Sequence, residues 1–140
     1  MGKREQQALA QVPLFSPLSA RYRRRLADHL EEVRYMQGAP IVKEGESGDT
    51  FFVILEGQAK VQNPKGRVVN RLVPGDFFGE ISLLDGGART ASVVTETPMT
   101  LLALKRGAFI KLLEAEPAVA VKLLEYAASL LRRMQRSLSA

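Results

Sequence analysis

The chain of 140 residues contains no cysteine, no tryptophan and a single histidine, His29. Without cysteine there is no disulfide framework and no thiolate chemistry. A histidine metal site needs several ligands, and none cluster with His29, which reads as a helix-surface or helix-edge residue. No pairing of a nucleophile with a base stands out, so the expectation is a receptor and not an enzyme, with no cofactor. No apolar run approaches the length of a membrane span. Met1 to Gln11 is polar and lacks the apolar run of a secretory signal. These absences fit a reducing compartment, and the expected location is the cytoplasm.

What is present suits one soluble domain: 46% hydrophobic residues against 25% charged ones. The net charge of +5 mildly favours anionic ligands or surfaces, although a solvated basic face is the better account of the charge as a whole. The same choice recurs at Arg21, Arg23, Arg24 and Arg25. They could meet nucleic acid or anionic lipid, but Asp28, Glu31 and Glu32 nearby favour a solvated helix face.

Hydrophobic period divides the chain. Met1 to Gln11 is a polar lead-in, partly helical or disordered. Tyr22, Leu26, Leu30 and Val33 recur at helical spacing and predict a helix from about Pro17 to Glu32. Ser16 before Pro17 is its candidate N-cap, with Ser19 the rival. From Val33 to Leu104, glycine and proline punctuate short runs of Val, Ile, Phe and Leu. Strands are expected at Arg34–Met36, Pro40–Val42, Thr50–Glu56, Gln58–Gln62, Val68–Leu72, Ala91–Thr95 and Met99–Lys105. Asn63-Pro64-Lys65-Gly66 reads as a hairpin tip. This many short strands argue a sandwich or a barrel, and the histidine shortage argues against a cupin-type metal barrel or a haem sensor. The helical period then returns at Phe109, Leu112 and Leu113. Pro117 restarts it, and Ala120, Leu123, Leu124, Ala127, Leu130, Leu131, Met134 and Leu138 form one apolar stripe. That stripe must cover the barrel, a ligand or a second copy of itself.

The stretch that carries chemistry is Phe78 to Val93, FGEISLLDGGARTASV. Gly79 lets a ligand approach the N–H groups that follow it. A helix start there favours negative charge, and Arg89 offers a planar fork matched to phosphate oxygens. Glu80 beside a phosphate makes sense if the ligand also carries a sugar hydroxyl. The plain alternatives are a Glu80 paired with a nearby cation, an Arg89 paired with Asp85 or Glu80, and a Thr90 that only finishes a strand. A nucleotide has both of the features that this stretch is suited to hold.

FGE, then ISLL, then RTA closely resembles the phosphate-binding cassette of cyclic nucleotide-binding domains, as found in the catabolite activator protein, the protein kinase A regulatory subunit and cyclic-nucleotide-gated channels. IVKEGESGDTFFVILEGQAKV (Ile41 to Val61) and LVPGDFFGE (Leu72 to Glu80) extend the resemblance, which covers Leu14 to about Leu138. It implies an α+β fold: a jelly-roll β-barrel over about 34–105, an N-terminal helix, a short cassette helix and C-terminal lid helices over about 106–138. The lead-in would be 1–13 and the domain 14–140. By the same resemblance Glu80 holds the ribose 2′-hydroxyl and Arg89 the exocyclic phosphate oxygens of cAMP or cGMP. Ile81 and Ser82 lend backbone N–H groups. Thr90 bonds the phosphate, or the 2-amino group of a syn guanine. Ala88 departs from the proline frequent at its position, and with Gly86-Gly87 it predicts a looser loop. Leu72 and Val73 are candidate base contacts, with core packing the equal alternative. Leu123, Tyr126, Ala127 and Leu130 are candidate lid contacts, and Arg132 and Arg133 could stack on the purine or simply favour the helix end. The implied mechanism is a ligand-driven movement of the lid helix that an effector reads. A nucleotide-independent interaction module, dimerising through the C-terminal stripe, is the alternative. No DNA-reading helix pair follows the lid, so the expectation is a free-standing sensor or a domain of a longer protein, and Met1 favours the first.

Overall fold

The computed structural model describes residues 3–12 and 15–138, without the side chains of Glu80, Ile81 and Leu138. Pro13 and Leu14, where the expected domain boundary falls, lie outside the described residues.

Two strands explain the architecture. β3 (Thr50–Glu56) and β8 (Met99–Lys105) are almost continuously apolar and buried. A strand shows alternate side chains to opposite faces, so such a run needs cover on both. Phe51 and Val53 of β3, with Leu102 and Leu104 of β8, join one core cluster that also holds Leu9, Val12, Phe15, Phe109 and Leu112 from helical segments. Phe52 and Ile54, with Leu101 and Ala103, join a second cluster with Ala59, Leu72 and Val93 of the other sheet. The result is three layers: helices, one sheet, and a second sheet.

The first sheet has the order β1-β8-β3-β6, with β1 Glu31–Tyr35 and β6 Phe77–Phe78. The second has the order β2-β7-β4-β5, with β2 Pro40–Val42, β4 Ala59–Gln62, β5 Val68–Leu72 and β7 Ser92–Thr95. Every pairing is antiparallel. This is the α+β sandwich of jelly-roll type that the motifs imply. The hairpin tip between β4 and β5 closes as expected: Asn63 Oδ1 accepts from the Lys65 and Arg67 N–H groups, at 3.0 Å each.

The lead-in is the helix α1 (Lys3–Gln11), and its Leu9 is fully buried. The expected helix from Pro17 to Glu32 is shorter, α2 (Ala20–Ala27), capped by Ser19 and not by Ser16. Asp28 and His29 of the predicted helix form a turn, and Glu31 and Glu32 are already strand. Val33 and Tyr35 alternate with exposed Glu32 and Arg34, and β8 takes them into its ladder, from Glu31↔Ala103 to Tyr35↔Met99. Strand period and an available partner override the helical spacing of Leu30 and Val33. β6, two residues long, had no period to read.

The cassette helix α3 spans Glu80–Asp85, and the C-terminal helices are α4 (Arg106–Ala115) and α5 (Pro117–Leu138). The apolar positions of α5 divide. Val119 and Leu123 are buried in the helix-side core, whereas Leu124, Leu131 and Met134 are each more than 60% exposed. Among the described residues no helix is long and apolar enough to cross a membrane.

Candidate functional site

A cavity of about 310 Å³ opens between the second sheet and the cassette. Val42, Val61, Leu72, Phe78 and Val93 supply an apolar wall, and Gly79, Ser82, Ala88, Arg89 and Thr90 line the other side. An apolar cleft with a few converging polar groups is the usual form of a small-molecule site.

Arg89 is its dominant charge. The residue is only 8% exposed, and its Nη2 donates to the Thr50 carbonyl at 2.7 Å. Among the described residues its guanidinium makes no ion pair. A guanidinium carries five N–H donors, and among the described residues the Thr50 carbonyl is the one acceptor it meets. Burial pushes its pKa down, opposed by the nearby Asp49 carboxylate. A buried charge is costly unless it is paired, and an anion in the cavity would supply that pairing.

The backbone fixes where that charge sits. The Arg89 N–H donates to Glu46 O at 2.8 Å, and Gly45 N–H donates to Arg89 O at 2.9 Å. Gly48 N–H donates to Gly87 O at 3.0 Å, and Ser47 bridges Ala88. Two glycines make room for the guanidinium. A Cβ on Gly79 would lie 2.7 Å from Arg89 Nη1 and 2.6 Å from Thr50 O; one on Gly48 would lie 2.8 Å from Arg89 Nε and 2.5 Å from Ser82 Oγ. Gly79 also holds φ at +87°, a left-handed conformation that caps the start of α3. The first N–H groups of α3, those of Glu80, Ile81 and Ser82, have no earlier turn of helix to bond, and they begin beside Arg89. The Gly86-Gly87 loop is tied at both residues: Gly86 N–H donates to Ser82 O at 2.7 Å, and Gly87 N–H to Asp85 Oδ1 at 2.7 Å.

Of the residues expected at the site, Gly79, Ser82, Arg89, Thr90 and Leu72 line this cavity together. The side chains of Glu80 and Ile81 lie outside the described residues. Val73 is exposed in the next turn, where its N–H donates to Asp76 Oδ2 at 2.9 Å. Leu123 is buried in the helix-side core, Tyr126 packs against it and Leu130 is half-buried. None of the three lines the cavity, because the core beneath the helices already covers that part of the stripe. Arg132 and Arg133 are exposed.

Sequence reasoning missed the loop that holds Arg89: Glu46, Gly48, Asp49 and Thr50. Gly45 to Asp49 entered the sequence reading only within Ile41 to Val61, with no role assigned to them. A small residue directly before an acid, opposite an arginine to be buried, was the signal available.

Comparison with known proteins points the same way. Residues 32–116 match the family described as Cyclic nucleotide-binding domain. The cAMP-dependent protein kinase regulatory subunit of Colletotrichum orbiculare is 39% identical over 106 residues, covering 75% of this chain and 27% of that protein. That of Mycosarcoma maydis is 37% identical over 113 residues, covering 75% of this chain and 22% of that protein. The chain therefore spans about a quarter of the length of these relatives. Among solved structures, the N-terminal domain of a transcriptional regulator from Streptomyces coelicolor A3(2) is 34% identical, with a TM-score of 0.83 over 91% of this chain and 94% of that one. The Thermus thermophilus Catabolite Activator Protein is 32% identical, with a TM-score of 0.72 over 91% of this chain and 62% of that one.

Proposed function

Since the chain belongs to the cyclic nucleotide-binding domain family, we propose that it is a receptor for cAMP or cGMP, which it takes into the cavity beside Arg89. The observation that carries this reading is the buried guanidinium, with one carbonyl acceptor among the described residues, at the edge of an apolar cavity. Its fork grips the exocyclic phosphate oxygens, and the first N–H groups of α3 share that charge. Glu80, at the same end of the cassette, takes the ribose 2′-hydroxyl. Leu72 offers an apolar surface to the base, and Thr90 bonds the phosphate or a syn guanine. Binding then acts by population shift: the ligand favours one placement of the cassette, and α5 moves over the base as a lid that an effector protein reads. Among the described residues none of α5 lines the cavity, so closure needs Leu123 and Tyr126 to leave the helix-side core.

A thermal melt in millimolar cAMP or cGMP tests the reading. A ligand at 100 times its dissociation constant adds about 2.7 kcal/mol, so the melting temperature rises by several degrees. No shift with either nucleotide sinks the receptor reading and leaves the second one. In that reading the exposed Val121, Leu124 and Leu131 of α5 bury themselves against a second copy of the chain without nucleotide. The 3- and 4-residue spacing of these positions with Ala128 between them favours it, and sedimentation of the nucleotide-free protein decides it.

A further inference from the structure

Arg106 opens α4 and takes no part in the site described above. It nonetheless bonds two other segments at once. Its backbone N–H donates to Asp49 O at 2.6 Å. Its Nε donates to the Leu83 carbonyl at 3.1 Å, and its Nη2 to the Leu84 carbonyl at 3.2 Å. The last carbonyls of a helix lack donors within it and carry the negative end of its dipole. A guanidinium is well matched to both needs. Gly86 lies alongside it, where a Cβ would stand in ordinary van der Waals contact, 3.5 Å from Arg106 Nε and Cζ.

The placement is directional where the surrounding packing is not. Leu83 of α3 sits in the same apolar cluster as Phe109 and Leu112 of α4. Apolar contact of that kind tolerates sliding, because burial has no preferred direction. Two charge-assisted hydrogen bonds do not slide; they are made or broken. Nor does α4 have slack at this end: Lys105 is the last residue of β8 and Arg106 the first of the helix.

We propose that Arg106 is a positioning residue that locks the end of the cassette helix α3 to the start of α4, so that a displacement of α3 is passed to the C-terminal helices. That α3 is displaced by a nucleotide rests on the receptor reading above; the lock itself does not.

Amide hydrogen exchange on the full chain tests both parts. Without nucleotide, Arg106→Gln speeds exchange at the last turn of α3 and the first turn of α4 together, on the order of tenfold, and Arg106→Lys falls between. The control is Arg25→Gln, which removes the ion pair of Arg25 with Glu116 at the far end of α4 and leaves α3 unchanged. Faster exchange in α3 alone means a local cap and overturns the lock, whether or not nucleotide binds. With saturating cAMP, the wild type changes its exchange in α4 and α5. Arg106→Gln keeps its calorimetric affinity within a few-fold yet loses that change. A variant that binds and retains the full change overturns the transmission. A wild type that binds no cAMP counts against the receptor reading, and the nucleotide-free arm still decides the lock.

Discussion

The arm that carries Arg89 and the helix α5 are both assigned to one switch, yet they are built in opposite ways. Arg89 is held by backbone bonds to Glu46 and Gly45, by a side-chain bond to Thr50, and by two glycines whose missing side chains make its room. Helix α5 is anchored at Val119 and Leu123, and its last two turns bury no described residue. Recognition benefits from groups placed before the ligand arrives, since ordering them then costs nothing further. Response requires an element that can leave its place, and such elements come from the less stable parts of a fold. The contrast suits the proposed receptor, in which Arg89 is placed before the ligand arrives and α5 is the part free to move.

Four substitutions break or sharpen that contrast. The largest effect is expected at Phe51→Ala, beneath the cradle. Phe51 is fully buried and meets Phe15 edge-on at 5.4 Å, so denaturant unfolding should show a loss of about 3–5 kcal/mol. Gly79→Ala comes next, at about 1–3 kcal/mol, because the new methyl meets Thr50 O in a left-handed backbone. Nucleotide affinity should fall with stability here, whereas a purely structural glycine would lower stability alone. Thr90→Ala should leave stability unchanged and move the cAMP/cGMP affinity ratio by about 0.5–1.5 kcal/mol, read by competitive titration; an unchanged ratio removes Thr90 from base selection. Leu131→Gln on exposed α5 should change stability by less than about 0.5 kcal/mol, and a loss as large as that at Phe51 would erase the contrast.

Much of the fold was readable from the sequence where burial leaves a pattern. FFVIL and the β8 run are apolar enough to demand a strand covered on both faces, and their ranges follow. The end of α2 was misread because Leu26, Leu30 and Val33 satisfy a helical period, and only the β8 partner shows that the strand expected at Arg34–Met36 begins at Glu31. At the site, Gly79, Ser82, Arg89 and Thr90 lie within one stretch, so spacing alone could group them. The wall of Val42, Val61 and Val93, and the loop around Asp49, reach the cavity through pairings between distant strands. Nothing in a single sequence prints such pairings. The α5 stripe stayed open between barrel, ligand and second copy for a related reason: periodicity says that a face is apolar and not which surface covers it.

The most direct test of the central claim is calorimetric titration of cAMP and cGMP into the wild type, Arg89→Ala and Arg89→Lys. The account predicts binding by the wild type and a loss on the order of 2–5 kcal/mol for alanine. Lysine should be weakened too, because a point charge cannot reproduce the fork. Wild-type binding that survives Arg89→Ala within a few-fold would contradict it.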